Sequence, residues 1–251
     1  MRRLIATTAV TALALTLAAC GSGTDSGDGS TTLHVAAAAS LTSSFEEIAT
    51  AYEAEHDGVK VDLQFAGSSD LATQITNGAQ IDVFASADEK NMDKVKNAVD
   101  GEPTIFATNT LTIITEPGNP KRITGLTNLE NKDLAVVVCA PQVPCGAATQ
   151  TLLQRQHVTV DAASEESKVT DVLTKVTAGE ADAGLVYVTD ATGAGDKVAT
   201  VPAKGAGQVV NSYPIATLDG SPRADKAQAF VDFVTGPEGQ KVLKDKGFGA
   251  P

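Results

Sequence analysis

Four short loops place small polar residues or glycine directly before a helical pattern: Ala39-Ser40-Leu41-Thr42, Gly67-Ser68-Ser69-Asp70, Pro144-Cys145-Gly146 and Ser167-Lys168-Val169. The first turn of a helix leaves backbone N–H groups without intrahelical partners, and the helix dipole adds partial positive charge there. Several such ends aimed at one point form an anion site. The hydroxyls of Ser40 and Ser68 would add donors to it without formal charge. Any one of these loops alone reads as an ordinary helix cap, and spacing by itself leaves cap and anion site as open alternatives.

Other chemistry finds less support. Catalysis needs a nucleophile and a base. The histidines are His34, in a strand pattern, and His56 and His157, in polar stretches. Cys145, beside Gly146 at a helix start, has the surroundings of a low-pKa thiol. A bond to Cys139, across the Pro-containing turn CAPQVPC, would remove that thiol. Outside the cytoplasm such a pair persists as a disulfide. Metal ligation by the pair lacks a neighbouring His or Cys to complete a site, and no metal is expected. Tyr187, in the apolar run AGLVYV, reads on its own as core with a satisfied hydroxyl. Asp88 and Asp190 read as caps or contacts between lobes.

The elements that must hold these loops alternate along the chain. Strand patterns fall at Leu33–Ala39, Val59–Phe65, Asp82–Ala85, Leu111–Thr115, Leu134–Val138, Ala183–Val188 and Tyr213–Leu218. Helical spacing falls at Phe45–Tyr52, Leu71–Thr76, Glu89–Ala98, Ala147–Gln156, Val169–Thr177, Ala224–Val234 and Pro237–Lys246. Ser43 and Glu46 offer a capping-box pattern for the first helix. Strands alternating with helices indicate βαβ units and a mostly parallel sheet. In such sheets ligands bind outside the carboxyl ends of the strands, where these loops cluster.

The N-terminus opens Met1-Arg2-Arg3 and continues with an apolar run to about Ala19, shorter and more Thr/Ala-rich than a membrane span requires. A charged start, a short apolar middle and a small-residue end describe a secretory signal peptide over residues 1–19. Leu17-Ala18-Ala19-Cys20 resembles the bacterial lipoprotein box, in which Cys20 carries the lipid. Residues 20–32 are small and polar and are expected to act as a flexible tether. Arg2 and Arg3 take two of the 19 basic residues, leaving 17 against 31 acidic ones and a net charge of −14. Such a surface disfavours nucleic acid and leaves an anion to be recognised by local dipoles. The absence of Trp and an aromatic content of 4% argue against a sugar site.

The strings AAAASLTSSFEEIA, FAGSSDLATQI, DVFASAD, VPCG, AGLVYVTDA and GPEGQKVLKDKGF closely resemble, in that order, the periplasmic molybdate-binding proteins of ABC transporters. The resemblance runs from about Leu33 to the C-terminus, and VCAPQVPCG is similar to the actinobacterial lipoprotein branch. It implies a type II periplasmic-binding-protein fold: two α/β lobes with mixed, mostly parallel sheets joined by two crossovers. Residues 33–109 and 214–251 would form the first lobe and residues 110–213 the second. It implies a ligand, molybdate or tungstate, held by uncharged donors. Ser40 in AAASL and Ser68 in FAGSS match serines that contact the anion. Cys145 stands where the family has a small residue donating its backbone N–H, commonly alanine. Val169 matches a backbone donor and Tyr187 a phenol donor. No cofactor and no catalysis are implied. The implied partners are an ABC permease, the oxyanion and the membrane through Cys20, with an extracytoplasmic, lipid-anchored monomer.

None of the carried-over positions is Asp or Glu. Molybdate carries no proton near neutral pH, so a donor-only site suits it. Hydrogen phosphate brings a P–OH that wants an acceptor, and leaving a buried polar group unpaired costs about 1–3 kcal/mol. Sulfate has the same donor needs as molybdate and must be discriminated by cavity size. A sulfate- or phosphate-binding protein of the same fold is therefore the rival reading, and a secreted thiol enzyme or a regulatory module is the rival from another class.

Overall fold

The computed structural model describes residues 30–251. The signal peptide and Cys20 lie outside them. In chain order the first half runs β1 (Thr31–Ala38), α1 (Thr42–Glu55), β2 (Val59–Ala66), α2 (Ser68–Thr76), β3 (Val83–Ala85), α3 (Glu89–Lys94), β4 (Val99–Asn109) and β5 (Leu111–Thr115). It continues with β6 (Val136–Cys139), α4 (Pro144–Gln156), β7 (Ser164–Glu166), α5 (Val169–Thr177), β8 (Ala183–Tyr187), α6 (Val188–Ala194) and β9 (Ala199–Val201). The chain closes with β10 (Asn211–Leu218), α7 (Ala224–Thr235) and α8 (Pro237–Asp245). The strands form two five-stranded sheets, β2-β1-β3-β10-β4 and β7-β6-β8-β5-β9.

Parallel pairing holds in β2-β1-β3 and β7-β6-β8. The remaining ladders, through β10 and β5, are antiparallel. Strands covered on both faces read as continuous apolar runs, and the all-buried VVVC of β6 and AGLVY of β8 do so. In the first sheet, alternation sends Leu33, Val35, Val83 and Ile215 to one core, with Phe45, Phe106 and Phe230. Ala36, Phe84 and Ala216 go to a second core against α2 and α3, with Leu71, Ile75 and Met92. A separate core fills the other lobe. Among the described residues, no helix is long and apolar enough to cross a membrane.

Several details depart from expectation. Thr31 and Thr32, expected in the tether, are strand residues paired with Val59 and Lys60. Asn211, Ser212 and Tyr213, expected in the second lobe, pair with β4 in the first sheet. Pro214 follows at a register shift, which is how a proline is accommodated inside a central strand. The Ser43–Glu46 capping box does not form. The chain leaves β1 through a 3-10 turn, Ala39–Leu41, and is already helical at Thr42, so Ser43 lies inside α1. Thr42 Oγ1 donates to the Ala39 carbonyl at 2.8 Å and Ser44 Oγ to that of Leu41 at 2.9 Å, closing the entry turn instead.

Phe230 is fully buried, with its ring 5.2 Å from Tyr52 and 6.2 Å from Phe45 in edge-to-face contacts. Phe230→Ala is expected to cost about 3–5 kcal/mol of stability, measured as a lowered denaturation midpoint in urea at an unchanged slope.

Candidate functional site

The candidate ligand-binding residues meet at one cleft between the two sheets. Ser40 and Ser68 line it from one lobe, and Cys145, Val169 and Tyr187 from the other. Each follows the carboxyl end of a strand: Ser40 follows β1, Ser68 β2, Cys145 β6 and Val169 β7, while Tyr187 ends β8. Helix α5 packs against the turn Ala39–Leu41 of the opposite lobe, and the free space left is about 10 Å³. A space of that scale is about what one water needs, so a sugar, nucleotide or peptide would require the lobes to part.

The backbone donors come from helix starts with no side-chain acceptor. The residues at the N-caps of α2, α4 and α5 are Gly67, Val143 and Lys168, and none makes a side-chain cap bond. In α2 the Gly67 carbonyl is taken by Asp70 and Leu71 N–H groups, and in α5 the Lys168 carbonyl by that of Asp171. Among the described residues, the first-turn N–H groups of Ser68, Cys145 and Val169 make no hydrogen bond to an acceptor, and all three residues line the cavity. Pro144 at the first position of α4 gives up an N–H that the helix would not use. A disulfide joins Cys145 to Cys139 at the end of β6, with Cα atoms 5.7 Å apart, so Cys145 has no thiol to act as a nucleophile. Gly146 is held by the same tight packing: a β-carbon there would sit 1.9 Å from the Ala140 carbonyl oxygen.

The side-chain donors are oriented from behind. Ser68 Oγ accepts the Ala87 N–H at 3.0 Å, which leaves its own proton to point elsewhere. Ser40 Oγ lies 3.0 Å from the hydroxyl of Tyr213, a fully buried residue on β10. Burial pushes the Tyr213 phenol far up, so it stays protonated and can give its proton to Ser40, freeing the Ser40 proton for the cavity. Sequence reasoning missed Tyr213; its only signal was a tyrosine opening an apolar strand. Tyr187 is 1% exposed, and its hydroxyl has no hydrogen-bond partner among the described residues. Burial first, then the neighbouring Tyr213 phenol and after it the negative fields of Asp88 and Asp190, hold its pKa well above the usual range. It remains a neutral O–H donor whose partner the fold does not supply, and a buried orphan of this kind calls for a ligand or water.

Among the described residues, no Asp or Glu lines the cavity. Asp88 caps α3, accepting the Asn91 N–H at 2.8 Å, and Asp190 accepts the Tyr187 N–H at 3.1 Å. Lys168 is the one charged residue in the lining among the described residues, with Nζ 3.6 Å from Asp171. Among the described residues, no group of His, Cys, Asp and Glu is arranged to hold a metal ion.

The family model for bacterial extracellular solute-binding proteins matches residues 33–249. The chain belongs to that family. The molybdate-binding protein ModA of Mycobacterium tuberculosis is 46% identical over 243 residues, covering 94% of this chain and 93% of that protein. Two solved structures share the fold. The periplasmic molybdate-binding protein of Azotobacter vinelandii superposes with a TM-score of 0.73 at 23% identity, covering 87% of this chain and 99% of that one. The sulfate-binding protein SubI of Mycobacterium tuberculosis gives 0.72 at 19% identity, covering 87% and 86%. The near-equal TM-scores mean that the fold alone does not discriminate between the two oxyanions.

Asp190 provides a pH test of this site. Burial raises its pKa from 3.8 to about 7. The folded state thus holds a proton that the unfolded chain releases between about pH 4 and pH 7, so stability falls as pH rises through that window. The loss is complete above the folded pKa and is on the order of 4 kcal/mol at most. Asp190→Asn, which keeps an oxygen for the Tyr187 N–H, is expected to be more stable than wild type at pH 8 and similar at pH 4. Urea midpoints at both pH values check this; a variant that loses equal stability at both would sink the assignment.

Proposed function

We propose that this protein captures molybdate, and tungstate as a near-isosteric mimic, in the inter-lobe cavity and delivers it to the permease of an ABC importer. Ser40, Ser68 and Tyr187 donate through their side chains, and the backbone N–H groups of Cys145 and Val169 complete the cage. The observation that carries this reading is the donor-only lining. Uncharged O–H and N–H groups come together from both lobes, and among the described residues one of them is a buried phenol without a partner and no Asp or Glu lines the cavity. A fully deprotonated oxyanion satisfies every one of these groups, whereas hydrogen phosphate leaves its P–OH unpaired at a cost of about 1–3 kcal/mol. The 46% identity to a protein named for molybdate binding favours that ion over sulfate. The role is transport, with no reaction step at the site. The anchor is a lipid on Cys20, whose preceding residues fit a lipoprotein signal.

Calorimetric titration of the anion-stripped domain with molybdate, tungstate, sulfate and phosphate tests the reading. Tight binding of molybdate and tungstate, with sulfate and phosphate much weaker, is the expected result. Ser40→Ala and Ser68→Ala each remove one hydrogen bond to a charged group, about 1.5–3 kcal/mol, or roughly tenfold to a hundredfold in Kd. Sulfate binding as tightly as molybdate would transfer the protein to the neighbouring specificity. Silence with all four anions would refute the proposal.

A further inference from the structure

Gly67 stands where the lobes touch. A β-carbon built on it would lie 2.2 Å from the carbonyl oxygen of Ser167 and 3.3 Å from Cγ1 of Val143, both in the opposite lobe. Its own backbone does not demand glycine. With φ −61° and ψ 137° it is extended, a conformation open to any L-residue. The three atoms nearest to the missing side chain all belong to the other lobe. Gly146 shows the contrast: there the collision is with Ala140 of its own loop. At Gly67 the obstacle is a backbone carbonyl, so no change of rotamer relieves it.

We propose that Gly67 and the Ser167 carbonyl form the stop that sets how far the lobes close, and hence the size of the anion cage. The proposal rests on the solute-binding reading above. Ser68 follows Gly67 directly and Val169 lies two residues beyond Ser167, so the stop is built into the same two loops that present donors from opposite sides. A methyl group at position 67 must hold those loops apart. Because hydrogen bonds weaken steeply outside a narrow range of distance, a standoff of even about half an ångström detunes the contacts that span the cavity. The open form, in which the loops are not in contact, has room for the methyl group.

The test is Gly67→Ala, with Gly193→Ala as the control, since a β-carbon at Gly193 meets open space. Three quantities are compared with wild type: thermal unfolding without anion, molybdate affinity by calorimetry, and compaction on adding molybdate by small-angle X-ray scattering. Gly67→Ala is expected to unfold at the wild-type temperature without anion, to bind molybdate about tenfold or more weakly and to compact less. Gly193→Ala, which lies within α6, is expected to match wild type in affinity and compaction and to unfold at the same or a slightly higher temperature. Wild-type affinity and compaction in Gly67→Ala would overturn the stop. An anion-free variant that is markedly destabilised would overturn it too, because the glycine would then be needed within its own lobe. Wild type that neither binds molybdate nor compacts would instead refute the solute-binding reading, so the two failures are distinguishable.

Discussion

A divalent oxyanion taken out of water must have its hydration replaced on every side at once, since an unpaired charge in a low-dielectric interior costs on the order of tens of kcal/mol. No single sheet edge can surround an ion. Two edges facing each other can, and the two carboxyl ends here meet at one cavity. Each lobe supplies part of the donor set from positions that its own fold has already fixed, so little ordering is left for the moment of binding. The disulfide at Cys139 and Cys145 belongs to this preparation, because it ties the start of α4 to the end of the strand before it. The buried partners of Ser40 and Ser68 serve the same end by leaving each hydroxyl proton with one useful direction.

Charge is handled locally. The chain is strongly acidic, so its overall field repels an anion, and among the described residues Lys168 is the sole charged one in the lining. Attraction must come from helix starts and hydroxyls at short range, where dipoles aimed at a point act without a counter-charge of their own. Negative groups behind the site then have a role that positive ones could not fill. The fields of Asp88 and Asp190 add to burial in keeping Tyr187 protonated, and a protonated phenol is the only form that can donate.

What the sequence disclosed follows from burial. Strands covered on both faces had to be apolar throughout, so β1, β3, β5, β6, β8 and most of β10 were legible. Missing from the reading were β4, β7 and β9, each an edge strand of its sheet. An edge tolerates Gly101, Glu102 and Pro103 in β4 and the polar SEE of β7, and such residues imitate a loop. The loops lining the cavity announced themselves as Ser, Gly and Pro before helices, but spacing could not separate anion donors from caps; the matching motifs in order along the chain did that. Tyr213 escaped because its role depends on the approach of β10 to the β1–α1 turn, from residues 173 positions apart in the chain. The last strand was read from Tyr213, two residues late, because Pro214 interrupts its pattern; the register shift in β10 accommodates that proline inside the strand.

The two sheets share one strand order although the sequence contains no repeat. Read from one edge, β2-β1-β3-β10-β4 and β7-β6-β8-β5-β9 place corresponding strands in corresponding positions. The fourth position is filled each time by the strand reached on crossing from the other lobe: β5 after β4, and β10 after β9. The crossovers therefore run side by side, with Asn109 at the end of one paired to Asn211 at the start of the other. Two adjacent paired segments resist twisting more than a single linker would and direct relative motion into opening and closing. The hinge asparagines also bond outward. Asn109 donates to Thr189 Oγ1 at 2.7 Å and accepts the Thr110 N–H at 2.9 Å, while Asn211 donates to the Ala87 carbonyl at 2.9 Å. Ala87 in turn gives its N–H to Ser68, and Thr189 lies two residues beyond Tyr187. The hinge is thus one or two contacts from a donor in each lobe, so the geometry that sets the closing axis also sets where those donors point when the lobes meet.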